Sequence, residues 1–339
     1  MEVATIKDFL FFASSAYFWQ AMNPKILLVA VLLAIPMAAS QAWDESGHLL
    51  IDTLAARKLQ PEVVKKMDAL LPLLDTRFNG GHPYNLVTAG LWLDDMRGLG
   101  KANSWARWHY VDIPCAGDRA YTVPPPPHAL WALDQATAAL RSQSAAPRIR
   151  AEALAQIMHL VGDIHQPLHV ATRNDRGGND VPIIPLPASS GVGPSNLHAF
   201  WDAACRYDVR EGGITELWAH PHRPQALDEP GAITDQARAL RDRITAENLL
   251  PTDHPWQQWA YATHMIACQS GWPKEWVESD KKTPVQLTSA FVHASHEIAL
   301  NQIALAAERL AALLNKLLGE DQPKKKHQVW EAAENSPAL

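Results

Sequence analysis

The sequence predicts an all-α protein whose 339 residues form a single mainly helical domain. Apolar residues recur at helical spacing along most of the chain, which is the pattern of amphipathic helices. The composition, 47% hydrophobic and 19% charged, is that of an ordinary globular protein with ample material for a core. No internal repeat is visible in the sequence, so one domain is expected.

The first 42 residues predict a secretory signal peptide and not a part of that domain. A short basic lead, Met22–Lys25, precedes the apolar run Ile26–Met37 and the small residues of 38–42. An apolar run of this length is too short for an ordinary membrane span. We therefore expect translation to start at Met22 and the mature chain to start at Trp43, secreted or periplasmic and without a membrane segment.

The domain is predicted to span residues 43–319 as a series of helices. The first two begin behind Gly47 and at Pro61, where proline is tolerated in the first turn. The predicted helices cover residues 48–59, 61–71, 86–97, 129–143, 148–165, 231–248, 254–269 and 287–318. Beyond Gly319 the sequence turns polar, and residues 320–339 are predicted to form a mobile tail.

Two segments are predicted to lie outside helices. Residues 169–196 are rich in glycine, proline and serine, so they predict a loop, with a short hairpin as an open alternative. A second segment alternates like a short extended strand. It places His109 and Val111 on one side and Tyr110 and Asp112 on the other.

The charge balance limits the possible partners. The formal net charge is −6 at pH 7, and no basic face is available to hold duplex phosphates non-specifically. Any nucleic acid substrate would therefore have to be held by metal ions and by base stacking.

Export to an oxidising compartment would favour disulfide formation among the three cysteines. One disulfide and one free thiol are expected, with Cys115 paired to Cys268 and Cys205 left over. Three buried free thiols are an alternative that the sequence leaves open.

The stretch from His159 to His169 carries the strongest chemical signal. His159 and Asp163 are four residues apart, so on a helix both side chains project from one face and can reach one cation. Pro167 disfavours helix at the preceding residue, which places His169 beyond the helix end and turned towards a second ion. Imidazole and carboxylate ligands without thiolate suit zinc. Taken alone, this spacing is weak evidence for a metal site, because it more often marks a hydrogen bond on a helix face.

Further candidate ligands occur on both sides of this stretch. Asp94 and Arg97 lie within one helical turn, where Arg97 can orient the carboxylate; the alternative is a solvated helix end. His109 alone is more often a structural histidine. His198 and Asp202 repeat the four-residue spacing of the first pair, which strengthens the metal hypothesis.

Taken together and in order, these motifs resemble the zinc-dependent single-strand nucleases called S-one and P-one nucleases, which are related in fold to zinc-dependent phospholipase C. The resemblance extends over nearly all of the mature chain. The matching motifs are Trp43 with His48, Trp92-x-Asp94-x-x-Arg97, His109-Tyr110-Val111-Asp112, His159-x-x-Gly162-Asp163 through His169, Gly177-Gly178-Asn179 and Asn196-Leu197-His198-x-x-Trp201-Asp202.

The resemblance implies three zinc ions as cofactors. The implied ligands are Asp94, His109, His159 and Asp163 for one ion; His48, the bridging Asp163 and the α-amino nitrogen and carbonyl oxygen of Trp43 for another; and His169, His198 and Asp202 for the third. His165 is not a ligand in the family pattern and is expected to pack behind the site. The remaining histidines fit no ligand position and are expected at the surface.

The resemblance also implies roles in catalysis and substrate binding. Asp94 would orient or activate the nucleophile, Arg97 would assist phosphate binding, and Asp163 would bridge two ions. Tyr110 would stack on the base at the cleavage site, and Asp112 would accept a hydrogen bond from the edge of that base. Asn179 would line the same site. Tyr110 stands where the family is expected to have phenylalanine, which leaves the base preference open.

The sequence thus predicts a monomeric secreted endonuclease that acts on single-stranded DNA, RNA and nucleotides. Its expected products carry 5′-phosphates, and 3′-nucleotidase activity is also expected. One alternative is a zinc-dependent phospholipase C, which spaces the N-terminal Trp and His more widely and has Glu where this chain has Asp202. A second alternative is a non-catalytic zinc protein; against it, the third site offers only three side chains, whereas structural sites are usually closed.

Overall fold

A computed structural model describes residues 43–99, 105–115, 121–191, 193–219, 221–243, 249–250, 252–277, 280 and 282–319. The predicted signal peptide and the predicted C-terminal tail lie outside these residues. The fold is mainly helical, as the sequence predicts. Its α-helices are α1 (Glu45–Ala56), α2 (Pro61–Leu70), α3 (Trp92–Asp95), α4 (Ala129–Arg141), α5 (Pro147–Asp163), α6 (Leu197–Asp202), α7 (Ala232–Leu240), α8 (Trp256–Ser270) and α9 (Ser289–Gly319).

Short 3₁₀-helices supply many of the connections. They are Leu71–Leu73, Ala89–Leu91, Met96–Leu99, Ala106–His109, Pro167–His169 and Ala204–Arg206. Several of them stand directly before or after residues predicted to bind metal. The tighter 3₁₀ turn is common at helix ends and in connections between helices. Here these turns change the direction of the chain next to predicted ligands.

Helix α5 occupies the centre of the molecule. All residues from Ala153 to Asp163 are buried, so the helix has no solvent-facing side in its second half. It packs against α1, α2, α4 and α9 and against the 3₁₀-helix Ala89–Leu91. Polar side chains on this half of α5 must therefore find partners inside the protein.

The predicted helix over 86–97 is broken into three short pieces, Ala89–Leu91, Trp92–Asp95 and Met96–Leu99. The cause lies at Gly90. Its N–H donates to Oδ2 of buried Asp52 at 2.8 Å, and its carbonyl accepts from Nδ1 of His159 at 2.5 Å. Because both backbone groups are used outside the segment, a continuous α-helical ladder cannot form through it.

The small β-structure lies elsewhere than the sequence suggests. Residues 169–196 are a loop, as predicted, with isolated bridges such as Pro182 with Asn196 and no hairpin within their described part. The hairpin instead joins antiparallel strands β1 (Tyr207–Arg210) and β2 (Gly213–Glu216). Gly212 and Gly213 close it with φ of 99° and 114°, a region that favours glycine.

The expected disulfide joins Cys115 to Cys268, and Cys205 is a buried free thiol. The bond ties the segment after Asp112 to α8. Within the described ranges, none of the helices combines the length and apolar character needed to cross a bilayer.

Candidate metal centre

Three sets of histidine and aspartate side chains converge inside the fold, and together they contain the side chains predicted to bind metal. Within each set, the candidate ligand atoms lie within 4.8 Å of one another. The sets are His48, His159 and Asp163; Asp94, His109 and His159; and His169, His198 and Asp202. A further group, Cys115, Cys268 and His264, has its sulfurs joined in the disulfide and offers no thiolate.

The first two sets meet on the buried end of α5. Nε2 of His159 lies 3.1 Å from Oδ2 of Asp163, one helical turn away. His109, at the end of its 3₁₀-helix, brings Nδ1 to 3.2 Å from the same oxygen. Oδ1 of Asp94 completes the group at 3.7 Å from His109 and 4.0 Å from His159.

The other oxygen of Asp163 faces a different neighbour. Oδ1 lies 3.4 Å from Nε2 of His48, which is carried by α1. The His48 ring stacks on the His159 ring with centroids 4.1 Å apart. One carboxylate therefore presents its two oxygens to two separate sets of histidines, which is the arrangement of a bridging ligand.

Trp43 lies against the same end of α5. Its side chain is fully buried, and its indole Nε1 donates to the carbonyl of Gly162 at 3.0 Å. The next residue, Asp44, caps α1 by accepting from the Ser46 N–H, and its own N–H donates to the carbonyl of Asp202 at 3.0 Å. The start of the described chain is thus fixed between two of the metal sets.

The third set is built by α6 and by the 3₁₀-helix Pro167–His169. Oδ1 of Asp202 lies 3.7 Å from Nε2 of His169 and 3.8 Å from Nε2 of His198. The two imidazole rings stack with centroids 4.9 Å apart. Gln166 donates to Oδ1 of Asp202 at 2.7 Å and so orients the carboxylate.

Hydrogen bonds to backbone carbonyls fix three ligand histidines in one orientation. Nδ1 of His159 faces the Gly90 carbonyl at 2.5 Å, Nδ1 of His169 the His109 carbonyl at 2.7 Å, and Nδ1 of His198 the Gly177 carbonyl at 2.6 Å. A carbonyl accepts, so each Nδ1 carries the proton and each Nε2 keeps its lone pair for the centre. Partners of this kind orient metal ligands in proteins.

Burial also sets the protonation states at the centre. Burial is the largest cause that lowers the pKa of each histidine in the three sets, so neutral imidazole, the ligating form, is favoured. Burial raises the pKa of Asp163 and, more strongly, that of Asp202. Burial acts in the same direction on Asp94, but the neighbouring His159 and Arg97 bring its pKa below the ordinary value.

The residues fit a bound metal by two tests. Many buried polar atoms of these sets lack a hydrogen-bond partner among the described residues, and they include Nε2 of His48, Oδ1 of Asp94, both oxygens of Asp163, and Nε2 of His169 and of His198. Buried atoms left in this state destabilise a fold unless something else satisfies them. In addition, ligands about 2.0 to 2.2 Å from a tetrahedral zinc ion stand roughly 3.3 to 3.6 Å apart, close to the spacings observed here.

Tyr110 and Asp112, two of the residues predicted to bind substrate, follow His109 closely in the chain, whereas the third, Asn179, has contacts of its own. His109 and Val111 are buried while Tyr110 and Asp112 are partly exposed, so the predicted alternation is confirmed. The predicted extended conformation begins only at Tyr110, because Ala106–His109 is a 3₁₀-helix. The Val111 N–H donates to the His169 carbonyl at 2.7 Å, which fixes the segment against the third set. Asn179 donates to the Arg176 carbonyl at 2.9 Å, and within the described chain no hydrogen bond joins it to Tyr110 or Asp112.

Charged residues surround this substrate face. Arg97 lies 3.2 Å from Oδ1 of Asp94, as the sequence predicts, and 17% of its side chain is exposed. Burial and then Asp112 raise the pKa of Tyr110, whereas Arg107, Arg176 and Arg97 act in the opposite direction. The positive charges of three guanidinium groups therefore act on the Tyr110 hydroxyl.

The histidines outside the three sets are not all at the surface. His165 is buried behind the site as expected, facing the Val161 carbonyl and bonded to Arg309 at 2.8 Å. The expectation that all other histidines lie at the surface is wrong, because His264 and His296 are buried. Each faces a backbone carbonyl, of Val170 and Ala204 respectively. A satisfied core histidine and a surface histidine look alike in sequence.

Sequence reasoning missed three residues that support the centre. Gln166 orients Asp202, Gly90 accepts from His159, and Asp52 holds the Gly90 N–H. Gln166 carries a local signal, since it stands between two predicted ligands. Gly90 and Asp52 carry none, because their role depends on the packing of α1 against the broken helix.

Comparisons with known proteins agree with this arrangement. A family model described as S1/P1 Nuclease matches residues 43–319, which contain every predicted metal-binding residue. Endonuclease 1 of Arabidopsis thaliana is 23% identical over 316 residues, covering 87% of this chain and 93% of its own. Endonuclease 2 of the same plant is 23% identical over 330 residues, covering 88% and 99%. Endonuclease 5 is 26% identical over 192 residues, covering 52% and 61%.

Proposed function

The chain belongs to the S1/P1 nuclease family, and from that premise we propose that it is a secreted or periplasmic zinc-dependent endonuclease specific for single strands. It would cleave single-stranded DNA and RNA to 5′-phosphorylated products and remove 3′-phosphates from nucleotides. One observation carries the proposal: the two oxygens of Asp163 face different histidines. Oδ1 lies near His48, whereas Oδ2 lies near His109 and His159.

Three zinc ions would be held by the three sets. Their ligands would be Asp94, His109, His159 and Asp163; His48, Asp163 and the α-amino nitrogen and carbonyl oxygen of Trp43; and His169, His198 and Asp202. Zinc bound there supplies Lewis acidity to a phosphate group and a nucleophile derived from water at neutral pH. The neutral histidines favoured by burial are the ligand form that such ions require. Burial raises the pKa of Asp163 and Asp202, and a bound cation would stabilise their ionised forms.

Asp94 and Arg97 are the residues placed to act on the reacting groups. The Asp94 side chain is 12% exposed whereas that of Asp163 is fully buried, which supports Asp94 as the carboxylate that would face the substrate. Its lowered pKa keeps it ionised, so it would orient the attacking water as a hydrogen-bond acceptor. Nε of Arg97 lies 3.2 Å from Oδ1 of this carboxylate, and the guanidinium would assist phosphate binding.

Tyr110 would provide the stacking surface for the base at the cleavage site. It follows the ligand His109 directly and is partly exposed, so a stacked base would place the adjoining phosphate near the centre. A base can reach this face only when it is not paired and stacked in a duplex, which accounts for a preference for single strands. Asp112 and Asn179 would contact the edge of the same base.

The test combines metal content with substrate choice. Elemental analysis of protein prepared without chelators should give about three zinc ions per chain. The same preparation should cleave a single-stranded oligonucleotide much faster than the matched duplex, and chelation should abolish cleavage. A reproducible content of one zinc or fewer would exclude the trinuclear site, and hydrolysis of phosphatidylcholine with inert oligonucleotides would replace the nuclease by a phospholipase.

A further inference from the structure

Two arginines hold the two residues that follow Trp43, and neither belongs to the metal sets. Arg206 ends the 3₁₀-helix Ala204–Arg206 and bonds Oδ2 of Asp44 through Nε at 2.8 Å and Nη2 at 2.7 Å. Both residues are only 6% exposed. Arg206 also pairs with Glu216 on β2, so this ion pair joins the chain start to the hairpin.

Arg223 holds the next residue from the opposite side. Its Nε lies 3.1 Å from Oε1 of Glu45. The same guanidinium binds both oxygens of Asp95, at 2.6 and 2.8 Å, and the Tyr84 hydroxyl donates to Asp95 at 2.6 Å. Arg223 therefore joins the first turn of α1 to α3, at the residue next to the predicted ligand Asp94.

Backbone contacts continue the link into the metal sets. The Asp44 N–H donates to the carbonyl of Asp202, a predicted ligand of the third set. The indole of Trp43 donates to Gly162, which precedes the bridging Asp163. The first three described residues are thus each fixed to an element that carries, or adjoins, a predicted metal-binding side chain.

This amount of anchoring exceeds what helix α1 requires. One polar side chain at the N-cap is sufficient to begin a helix, and Asp44 supplies that through the Ser46 N–H. Buried ion pairs are weak contributors to stability because desolvation offsets their attraction. Chain ends are ordinarily loose unless something ties them down. Two paired guanidinium groups on consecutive residues are better explained by a need to fix the position of the chain end.

We propose that Arg206 and Arg223 are positioning residues that hold Asp44 and Glu45 so that the α-amino group of a chain beginning at Trp43 is kept beside His48 as a zinc ligand. This inference rests on the proposed function, because that function supplies the cleaved terminus and the metal. The arginines act through the chain end and touch neither substrate nor metal.

The test follows the reactivity of the terminal amine. The exported protein is treated near pH 7 with an acylating ester, since an α-amino group has a pKa of about 7.7 to 8.0 and reacts there ahead of lysine. Mass spectrometry of the N-terminal peptide gives the labelling rate, and elemental analysis gives the zinc content. The wild-type amine should label slowly in the zinc-loaded protein and rapidly once zinc is removed.

The variants are Arg206→Gln, Arg223→Gln and Asp44→Asn. Asparagine preserves the N-cap, so Asp44→Asn removes the ion pair while the helix start is retained. Each variant should label at least about tenfold faster than wild type and lose about one zinc, because the chain end is released from its buried pair at Asp44 or its partly exposed pair at Glu45. Arg206→Lys should restore part of the protection, since it keeps the charge but not the planar fork.

The matched control is Arg210→Gln on the neighbouring strand, whose side chain is 60% exposed and pairs with Asp208. It should label and bind zinc as wild type does. Wild-type protection and zinc content in Asp44→Asn and Arg223→Gln would overturn the proposal, as would a freely reactive amine in the zinc-loaded wild type. A third outcome separates the two proposals. If the wild-type amine is protected and the variants release it, but the protein does not cleave oligonucleotides, the proposed nuclease function is wrong and the positioning role is retained.

Discussion

At the scale of single residues, Asp163 has the largest consequence, because its two oxygens face different histidine sets. The sequence predicts Asp163 as a ligand because it lies four residues after His159, and helical geometry projects both side chains from the same face. The division of its oxygens depends on where α1 and the His109 segment pack, and no local spacing contains that information.

Replacing Asp163 with alanine should collapse metal content and turnover together. The substitution removes the one group shared by two cations and leaves them facing each other without a screening charge. We expect about one zinc or fewer to remain per chain and activity to fall at least about a thousandfold. Elemental analysis and single-strand cleavage measure both quantities.

Asp180→Ala is the appropriate control for Asp163→Ala. Asp180 is an aspartate whose side chain is 33% exposed and pairs with Arg176 in the loop. It should retain the full zinc content. Full zinc occupancy in Asp163→Ala would show that the carboxylate does not bridge.

Tyr110→Ala should weaken cleavage and leave the metal in place. Stacking contributes roughly 1 to 3 kcal/mol per base, so the expected loss is about ten- to hundredfold on single-stranded oligonucleotides. Tyr110→Phe keeps the aromatic face and serves as the control, with a rate near that of wild type. An unchanged rate for Tyr110→Ala, with zinc intact, would mean that the base binds elsewhere.

At the scale of elements, long periodic helices are predictable and interrupted ones are not. The α4, α5 and α9 boundaries fall within two residues of the predicted ones because periodicity and a first-turn proline, such as Pro147, mark them locally. The break at Gly90 arises from hydrogen bonds to Asp52 and His159, which are distant in sequence. The hairpin Tyr207–Glu216 was missed because its strands are only four residues each.

Gly90→Ala tests the role of this break. A Cβ at Gly90 would lie 2.7 Å from Oδ2 of Asp52, so the carboxylate or the turn must move. We expect a loss of about 1 to 3 kcal/mol in the free energy of unfolding from overpacking, measured by urea denaturation. Zinc retention should fall as well, because the Gly90 carbonyl orients His159.

A second substitution tests whether crowding between the added Cβ and Asp52 causes this loss. Asp52→Ala removes the atom that the new Cβ would contact. The loss from Gly90→Ala should therefore be smaller in the Asp52→Ala background than in wild type. Equal losses in both backgrounds would show that the two residues are not coupled.

At the scale of the whole molecule, the sequence anticipates the helical class and the side chains that gather in the three candidate metal sets, but not the residues that support them. Histidine and aspartate spacing identifies candidate ligands because coordination chemistry requires those residue types. Gln166, Arg206 and Arg223 act through tertiary contacts, so their residue types alone predict nothing. The buried His264 and His296 are further examples, since burial is a property of the assembled fold.

The disulfide is a covalent cross-link between residues 153 apart in sequence. Closing a loop of that length restricts the unfolded chain by an amount equivalent to roughly 5 kcal/mol. The Cys115→Ser/Cys268→Ser double variant should lose up to about this free energy of unfolding in urea. Treating the wild type with a reductant should reproduce the loss, and unaltered stability in both experiments would contradict the estimate.

Cys205 has a consequence for handling and storage of the protein. A third cysteine in an exported chain ordinarily invites covalent dimers and exchange with the existing bond. Here the thiol is fully buried, and burial raises its pKa well above the ordinary value, so almost no thiolate forms at neutral pH. Concentrated native enzyme should remain free of linked dimers in air for as long as it stays folded. Refolding from denaturant exposes all three sulfurs at once, and that is the stage at which mispaired and crosslinked species should accumulate.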